Sequence, residues 1–221
     1  MSACCRSIAC GEMFNAREAR KNLTRYRRNG LKTIERRMVA SVNAEALKGA
    51  HVLEIGGGIG TIQAELLKGG AERGEIVELV SAYEPYAREL ARENGIEDRS
   101  AFRVADVLDE PGSVARADVV VMNRVVCCSP DGVRLTTVAA GLTKRVLLLS
   151  HPRDRFLTRL FGHVMNTTLR LLGKSFRVYL HSRDSIHAAA QAEGLVVAES
   201  GRGLVWEFAA FRRTASDSSL R

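Results

Sequence analysis

The sequence predicts an α/β fold: a mostly parallel sheet covered by helices on both faces and ended by an antiparallel hairpin. Three features carry that expectation. Short apolar runs alternate with helical periodicity from His51 onward, and a glycine cluster, Gly56-Gly57-Gly58-Ile59-Gly60, follows the first run. Near the C-terminus, Ser200-Gly201-Arg202-Gly203 joins two strand-like runs, the signature of a tight hairpin. The 221 residues suit one compact domain, and 46% hydrophobic with 26% charged residues excludes a disordered or fibrous chain.

The elements follow in order. Residues 1–14 form a cysteine-bearing arm. Ala16, Ala19, Leu23 and Tyr26 recur at three- and four-residue steps, which predicts a helix from about Asn15 that stops at Asn29-Gly30. A second helix is expected over 31–47, with Leu31, Ile34, Met38 and Val42 on one face and Gly49 closing it. Residues 1–48 are thus read as an arm and basic helices capping a main domain, 49–213. Within that domain strands are expected at 51–55, 76–78, 101–105, 118–123 and 145–150. Helices are expected at 61–68, 83–93 and 131–142, the last capped by Ser129 with Pro130 in its first turn. The rhythm then breaks. A lid-like insertion, 152–182, holds an amphipathic helix over 154–172 and a short strand over 176–180. A helix over 184–193, ended by Gly194, precedes hairpin strands at 195–199 and 204–211. The polar tail 214–221 is expected to be disordered.

Composition narrows the partners. No uncharged apolar run approaches the ~18 residues of a membrane span, and the stretch 160–169 contains His163 and Asn166. The first residues show no basic region followed by an apolar core, so no secretory signal is expected. A cytoplasmic, reducing compartment is the expectation, with the five cysteines as thiols. The net charge of +8 is concentrated: nine Lys and Arg against two Glu fall within 17–37, a surplus of seven. Such a segment steers an anionic acceptor, nucleic acid or a membrane surface, or simply solvates a helix face. Aromatic residues make up 5% and do not interleave with basic ones, so nucleic acid is not the expected partner.

The chemistry concentrates after the first strand. Glycines at 56–60 let the main chain turn sharply and lie bare against a ligand, and the next helix offers free N–H groups at its start. In an open α/β sheet this crevice is where ligands bind, and a nucleotide-type site needs a carboxylate at the tip of the second strand to hold ribose hydroxyls. Glu78, 18 residues after Gly60, fills that place, with Glu84 inside the next helical run as its rival. A dinucleotide loop would read G-x-G-x-x-G, and Thr61 stands where its last glycine belongs.

The spacing Glu54-x-Gly56-x-Gly58-x-Gly60 resembles the first motif of class I S-adenosylmethionine-dependent methyltransferases. Two later stretches agree with it in order. Ala105-Asp106-Val107 ends the third strand, and Asn123-Arg124-Val125-Val126-Cys127-Cys128-Ser129-Pro130-Asp131 follows the fourth, with two cysteines where many small-molecule methyltransferases carry two histidines. The resemblance covers roughly 50–150 and 184–211. It implies a Rossmann-like seven-stranded sheet and S-adenosyl-L-methionine as cofactor. It also implies a cofactor set of Glu54, Gly56, Gly57, Gly58, Gly60, Glu78, Leu79, Asp106, Val107 and Asn123, with Asp106 facing the adenine amino group. In layout the 154–180 region is similar to magnesium-protoporphyrin O-methyltransferases.

A sulfonium methyl is already activated, so the expected work of such a protein is to align a small-molecule methyl acceptor in a dry pocket. A base matters only where the acceptor carries a proton. Asn123 opens no Asn-Pro-Pro-Tyr motif, which argues against the branches that methylate amide and nucleobase nitrogens. Acceptor residues are expected at the strand tips and N-terminal helices: Tyr26, Arg124, Cys127, Cys128 and Arg153. His151, just past the fifth strand, is the candidate general base because imidazole titrates near neutral pH; His181 is a lesser candidate, and a structural role is the alternative for both. Cys4, Cys5 and Cys10 form one thiol cluster and Cys127 and Cys128 another, but no C-x-x-C spacing is present and no metal site is expected. Two other readings stand beside the small-molecule enzyme: an RNA methyltransferase recruited by the basic helices, and a non-catalytic thiol-based metal binder on the same scaffold.

Overall fold

Strand β4 (Ala117–Asn123) explains the architecture in miniature. Val119, Val120, Val121 and Met122 are all fully buried, as a strand covered on both faces requires. The computed structural model, which describes residues 8–214, places it at the centre of a seven-stranded sheet of order β3-β2-β1-β4-β5-β7-β6. Cys4, Cys5 and the expected tail beyond Thr214 lie outside the described residues. The other strands are β1 (His51–Ile55), β2 (Arg73–Glu78), β3 (Ser100–Val104), β5 (Thr143–Pro152), β6 (Leu195–Arg202) and β7 (Trp206–Arg213). The first five run parallel, and β7 is antiparallel to both β5 and β6. The order reverses between β1 and β4, which opens a crevice at the C-terminal strand tips.

Helices cover both faces. On one lie α1 (Ala16–Asn29), α2 (Thr33–Ala40), α3 (Ala44–Leu47), α4 (Thr61–Lys68) and α5 (Glu84–Glu93), which bury Leu23, Met38 and Leu66 with Val119, Val121 and Leu148. On the other lie α6 (Gly132–Leu142) and α8 (Arg183–Ala192), which close over Val120, Met122, Leu147 and Phe211. Helix α7 (Phe156–Leu171) lies between β5 and α8 in the chain. Each large apolar side chain buried this way contributes about 1.5–3 kcal/mol.

The N-terminal helices are fixed to the body. Asn15 Oδ1 accepts from Arg17 N and Glu18 N to cap α1, and Gly30 ends it at φ +63°. Arg27 bridges to Glu89 and Glu93 on α5, and the Tyr26 hydroxyl donates to Glu65 on α4. Arg36 donates to Leu31 O, and Arg37 sits 5.2 Å over the Phe208 ring. Much of the basic segment is therefore spent on holding the cap in place.

Four expectations need correction. The helix expected over 31–47 breaks into α2 and α3, because Ser41 Oγ donates to Met38 O and Asn43 accepts from Ala46 N, starting a new helix. The strand expected over 176–180 does not form: Asn166 takes both main-chain groups of Val178, Cys127 O accepts from Tyr179 N, and Glu12 accepts from Ser175 N and Phe176 N. With side chains meeting these groups, no ladder partner is needed. Asp131, rather than Ser129, caps α6 by accepting from Arg134 N. The hairpin link falls at 203–205 and not at 200–203, with Gly203 N donating to Trp206 O at 2.7 Å.

Candidate functional site

The chain leaves β1 at Ile55 and turns through Gly56–Gly60 before α4. Gly60 has φ +75°, and a Cβ there would lie 2.4 Å from Ile76 Cδ1; Gly58 has φ +57° and faces the Tyr83 ring. Glycine takes these left-handed turns without the penalty other residues meet. Gly58 N donates to Glu78 Oε2 at 3.0 Å, while Leu79 N and Val80 N donate to Oε1 at 2.8 and 3.2 Å. One carboxylate thus ties the glycine loop to the tip of β2. Burial pushes the Glu78 carboxyl up, and the three N–H donors pull it back. Glu84, its rival, pairs with Arg88 along α5 instead.

Two adjoining cavities open at these strand tips. The smaller, about 70 Å³, is largely apolar, with Val77, Leu79, Val107, Leu108 and Phe176 in its walls beside Asp106. Asp106 Oδ1 accepts from Leu108 N at 2.9 Å, which fixes the turn after β3. The larger, about 290 Å³, is bounded by Gly56, Gly57 and Gly58, by Glu78 and Tyr83, and by polar side chains of the cap. Cys10, Leu79, Val125 and Cys128 line both.

The larger chamber is charged. Glu18, Asn22 and Arg25 of α1 face it together with Lys32, Glu35, Asn123 and Arg124. Glu35 is buried and accepts from Lys32 N at 2.7 Å and from Asn123 Nδ2 at 3.3 Å. Asn123 Oδ1 in turn accepts from Ser150 Oγ at 2.7 Å. Arg124 is the one non-glycine residue with positive φ among the described residues, at +62°, and its guanidinium lies 4.6 Å over the Trp206 ring. The contact with Trp206 holds the side chain at the chamber wall, and the surrounding fold sustains the strained backbone. Burial lowers the pKa of both Arg124 and Lys32, and their positive neighbours lower it further. Arg25 Nε and Arg124 Nε are buried with no hydrogen-bond partner. Unpaired buried N–H groups are costly, and an anionic oxygen would satisfy them.

The structure gathers most, but not all, of the sequence-predicted residues. Gly56, Gly57, Gly58, Glu78, Leu79, Asn123, Arg124 and Cys128 line the larger chamber, and Asp106 and Val107 line the smaller. Glu54 and Gly60 line neither. Glu54 is buried beneath the loop, accepts from Gln63 N at 3.0 Å, and has its carboxyl pushed up to about 8 by burial. In this position its carboxyl supports the loop from below.

Of the acceptor-side expectations, Arg124 and Cys128 line the larger chamber, whereas Tyr26, Cys127 and Arg153 line neither cavity. Tyr26 turns to Glu65, and Tyr83, hydrogen-bonded with Asn22, stands in the chamber instead. Arg153 donates to Gly203 O at 3.0 Å and braces the hairpin. Cys127 points its thiol at Arg124 O. His151 is buried away from both cavities, its Nδ1 3.0 Å from Pro152 O and its ring edge-on to His187; burial lowers its pKa. His181 is likewise engaged, by Ser129 O at 2.9 Å. Sequence reasoning placed the region of Arg25 near the site but missed Asn22, Lys32, Glu35 and Tyr83. The spacing of Glu18, Asn22 and Arg25, four and then three residues apart, was the available signal of a polar helix face.

Cys127 and Cys128 are free thiols, and Cys128 is pushed well up by its hydrogen bond with Cys127 and by burial. Among the described residues no group of three or more His, Cys, Asp or Glu is arranged to hold a metal ion. Nor is any helix among them long and apolar enough to cross a membrane.

No family model matches the chain, and no curated protein matches it. Solved structures do. The magnesium protoporphyrin IX methyltransferase from Synechocystis PCC 6803 with bound SAH superposes with TM-score 0.69 at 18% identity, covering 95% of this chain and 100% of that one. An O-methyltransferase family protein from Burkholderia thailandensis gives 0.66 at 22% identity over 92% of this chain and 64% of that one. An O-methyltransferase family 2 protein from Planctomyces limnophilus in complex with apigenin gives 0.65 at 17% identity, over 91% and 62%. With its antiparallel β7, its glycine loop after β1 and these neighbours, the chain has the fold of the class I S-adenosylmethionine-dependent methyltransferases.

Proposed function

We propose that this protein transfers a methyl group from S-adenosyl-L-methionine to a small-molecule acceptor. The observation that carries the reading is the convergence of bare main chain at 56–58 and the Glu78 carboxylate on one chamber. Neighbours of the same fold crystallised with SAM or SAH support the choice of donor. The residues fit that molecule. Glu78 spends three of about four lone-pair sites on N–H groups, which leaves capacity for a ribose hydroxyl. Leu79, Val107 and Asp106 would form an adenine slot, apolar on its faces and polar at its edge. The unpaired N–H groups of Arg25 and Arg124 would take up a carboxylate.

When bound, the donor supplies a methyl on a sulfonium, which needs no further activation. The protein's work is then positioning and exclusion of water. Helices α1 to α3 act as a cap over the rest of the fold, and the segment after α7 supplies a wall through Phe176 and Tyr179. The hydrogen-bonded series Ser150–Asn123–Glu35 holds a carboxylate at the chamber wall, so Glu35 takes the proton-accepting role where an acceptor carries a proton. Engagement of Arg25, Arg27, Arg36 and Arg37 within the fold weighs against RNA recruitment by the basic segment.

A thermal-shift comparison tests the donor. S-adenosylhomocysteine should raise the melting temperature, by the equivalent of about 2.7 kcal/mol at a hundredfold excess over Kd, whereas NAD should leave it unchanged. Stabilisation by NAD alone would overturn the reading.

A further inference from the structure

Helix α7 is amphipathic in sequence, yet its apolar stripe points away from the protein. Phe156 is 77% exposed, Leu157 74%, Phe161 65% and Leu171 83%, with Leu160, Val164 and Leu172 exposed beside them. At about 100° per residue these seven fall within roughly half of the helix surface. The other half makes the contacts: Leu169 and Gly162 are buried, the latter facing Leu180, and Asn166 bonds Val178. The patch continues onto the β6–β7 turn, where Leu204 is 87% exposed and Val205 is exposed too. Arg153 fastens that turn to the approach of α7, through Arg153 N to Val205 O and its guanidinium to Gly203 O.

The rim of the patch is mainly basic. Between residues 153 and 177 stand six Arg or Lys and a single acidic residue, Asp154. Asp154 is already taken by Arg159, at 2.6 and 2.8 Å, and the one carboxylate that reaches this segment from elsewhere, Glu12, is engaged by Ser175 N and Phe176 N beside Lys174 and Arg177. A second copy packed on this face about a two-fold axis would set one mainly basic rim against another. An apolar stripe with cationic flanks matches instead a surface that is oily beneath and anionic above.

We propose that α7 and the Leu204–Val205 turn form an interfacial docking face for an anionic lipid bilayer, with the stripe sunk at the headgroup boundary and Arg155, Arg170 and Lys174 among the phosphates. The face is peripheral and spans nothing.

Co-sedimentation with vesicles tests this on the full chain. Wild-type protein should pellet with vesicles of phosphatidylcholine mixed with phosphatidylglycerol, bind pure phosphatidylcholine far more weakly, and release as salt rises. The double variant Leu157→Ser, Phe161→Ser should weaken that binding by about tenfold or more, and Arg170→Glu by severalfold. Both alter exposed positions outside the two cavities, so thermal unfolding and donor-product affinity should stay as in wild type. Failure of the wild type to bind anionic vesicles, equal binding by the double variant, or a wild-type dimer that the double variant dissociates would each overturn the proposal.

Discussion

The two cavities at the strand tips are built by different physics. The smaller is walled by Leu79, Val107 and Leu108, which directly follow β2 and β3, and by Phe176 and Tyr179 from the segment after α7, so recognition there rests on shape and apolar contact. The larger depends on residues brought from far along the chain: Asn123 meets Glu35 across 88 positions, and Arg124 is held over Trp206. A local loop can be positioned by its own turns, whereas a charged chamber needs a second layer of helices to bury and align it. The glycine loop and the β2 tip come from turns at the sheet's edge, and the charges that face them across the larger chamber come from the cap and from the tip of β4.

That contrast can be broken or sharpened by substitution. The largest effect should come from Gly58→Leu. A left-handed φ costs a β-carbon-bearing residue about 1–2 kcal/mol, and the side chain would also invade the chamber, so S-adenosylhomocysteine affinity should fall by about a hundredfold in calorimetric titration. Unfolding should remain cooperative. Glu78→Ala comes next, with roughly a tenfold to hundredfold loss, because three N–H groups lose their acceptor together with any hydroxyl it would hold. Wild-type affinity in both variants would remove the loop and the β2 tip from the donor site.

Glu54→Gln should separate support from contact. Its carboxyl stays protonated in the folded chain up to about 8, against an ordinary value of 4.5, so the folded state binds the extra proton between those values. Stability from this group is complete below pH 4.5 and is lost as pH rises through 8. The amide variant should flatten that decline in a melting-temperature series while leaving donor-product affinity close to wild type. A large loss of affinity at constant stability would put Glu54 in contact with the ligand. The smallest effect is expected for Tyr26→Phe: loss of the bond to Glu65 should cost about 1 kcal/mol in urea unfolding and leave donor-product binding unchanged.

Legibility in the sequence followed the same division. The glycine loop, the Glu78 tip and the alternation of strands with helices could be read because each rests on contiguous spacing, and α4 falls at 61–68 as the periodicity requires. The chamber could not. Which way Tyr26 turns depends on Glu65, thirty-nine residues away, and His151, expected just past the fifth strand, lies within β5 with its ring against His187 of α8. Arg153 looked like a strand-tip ligand but is spent on the hairpin turn. Helix α7 shows the limit most plainly: its apolar periodicity is real, but periodicity does not say which face the fold turns inward.

A crystal structure of the protein with S-adenosylhomocysteine tests the central claim most directly. The predicted result is the ligand in the two joined cavities, its methionyl end against the main chain of Gly56–Gly58 and its ribose hydroxyls within hydrogen-bond distance of Glu78. A ligand bound elsewhere, or one in the chamber with Glu78 turned away from its sugar, would contradict it.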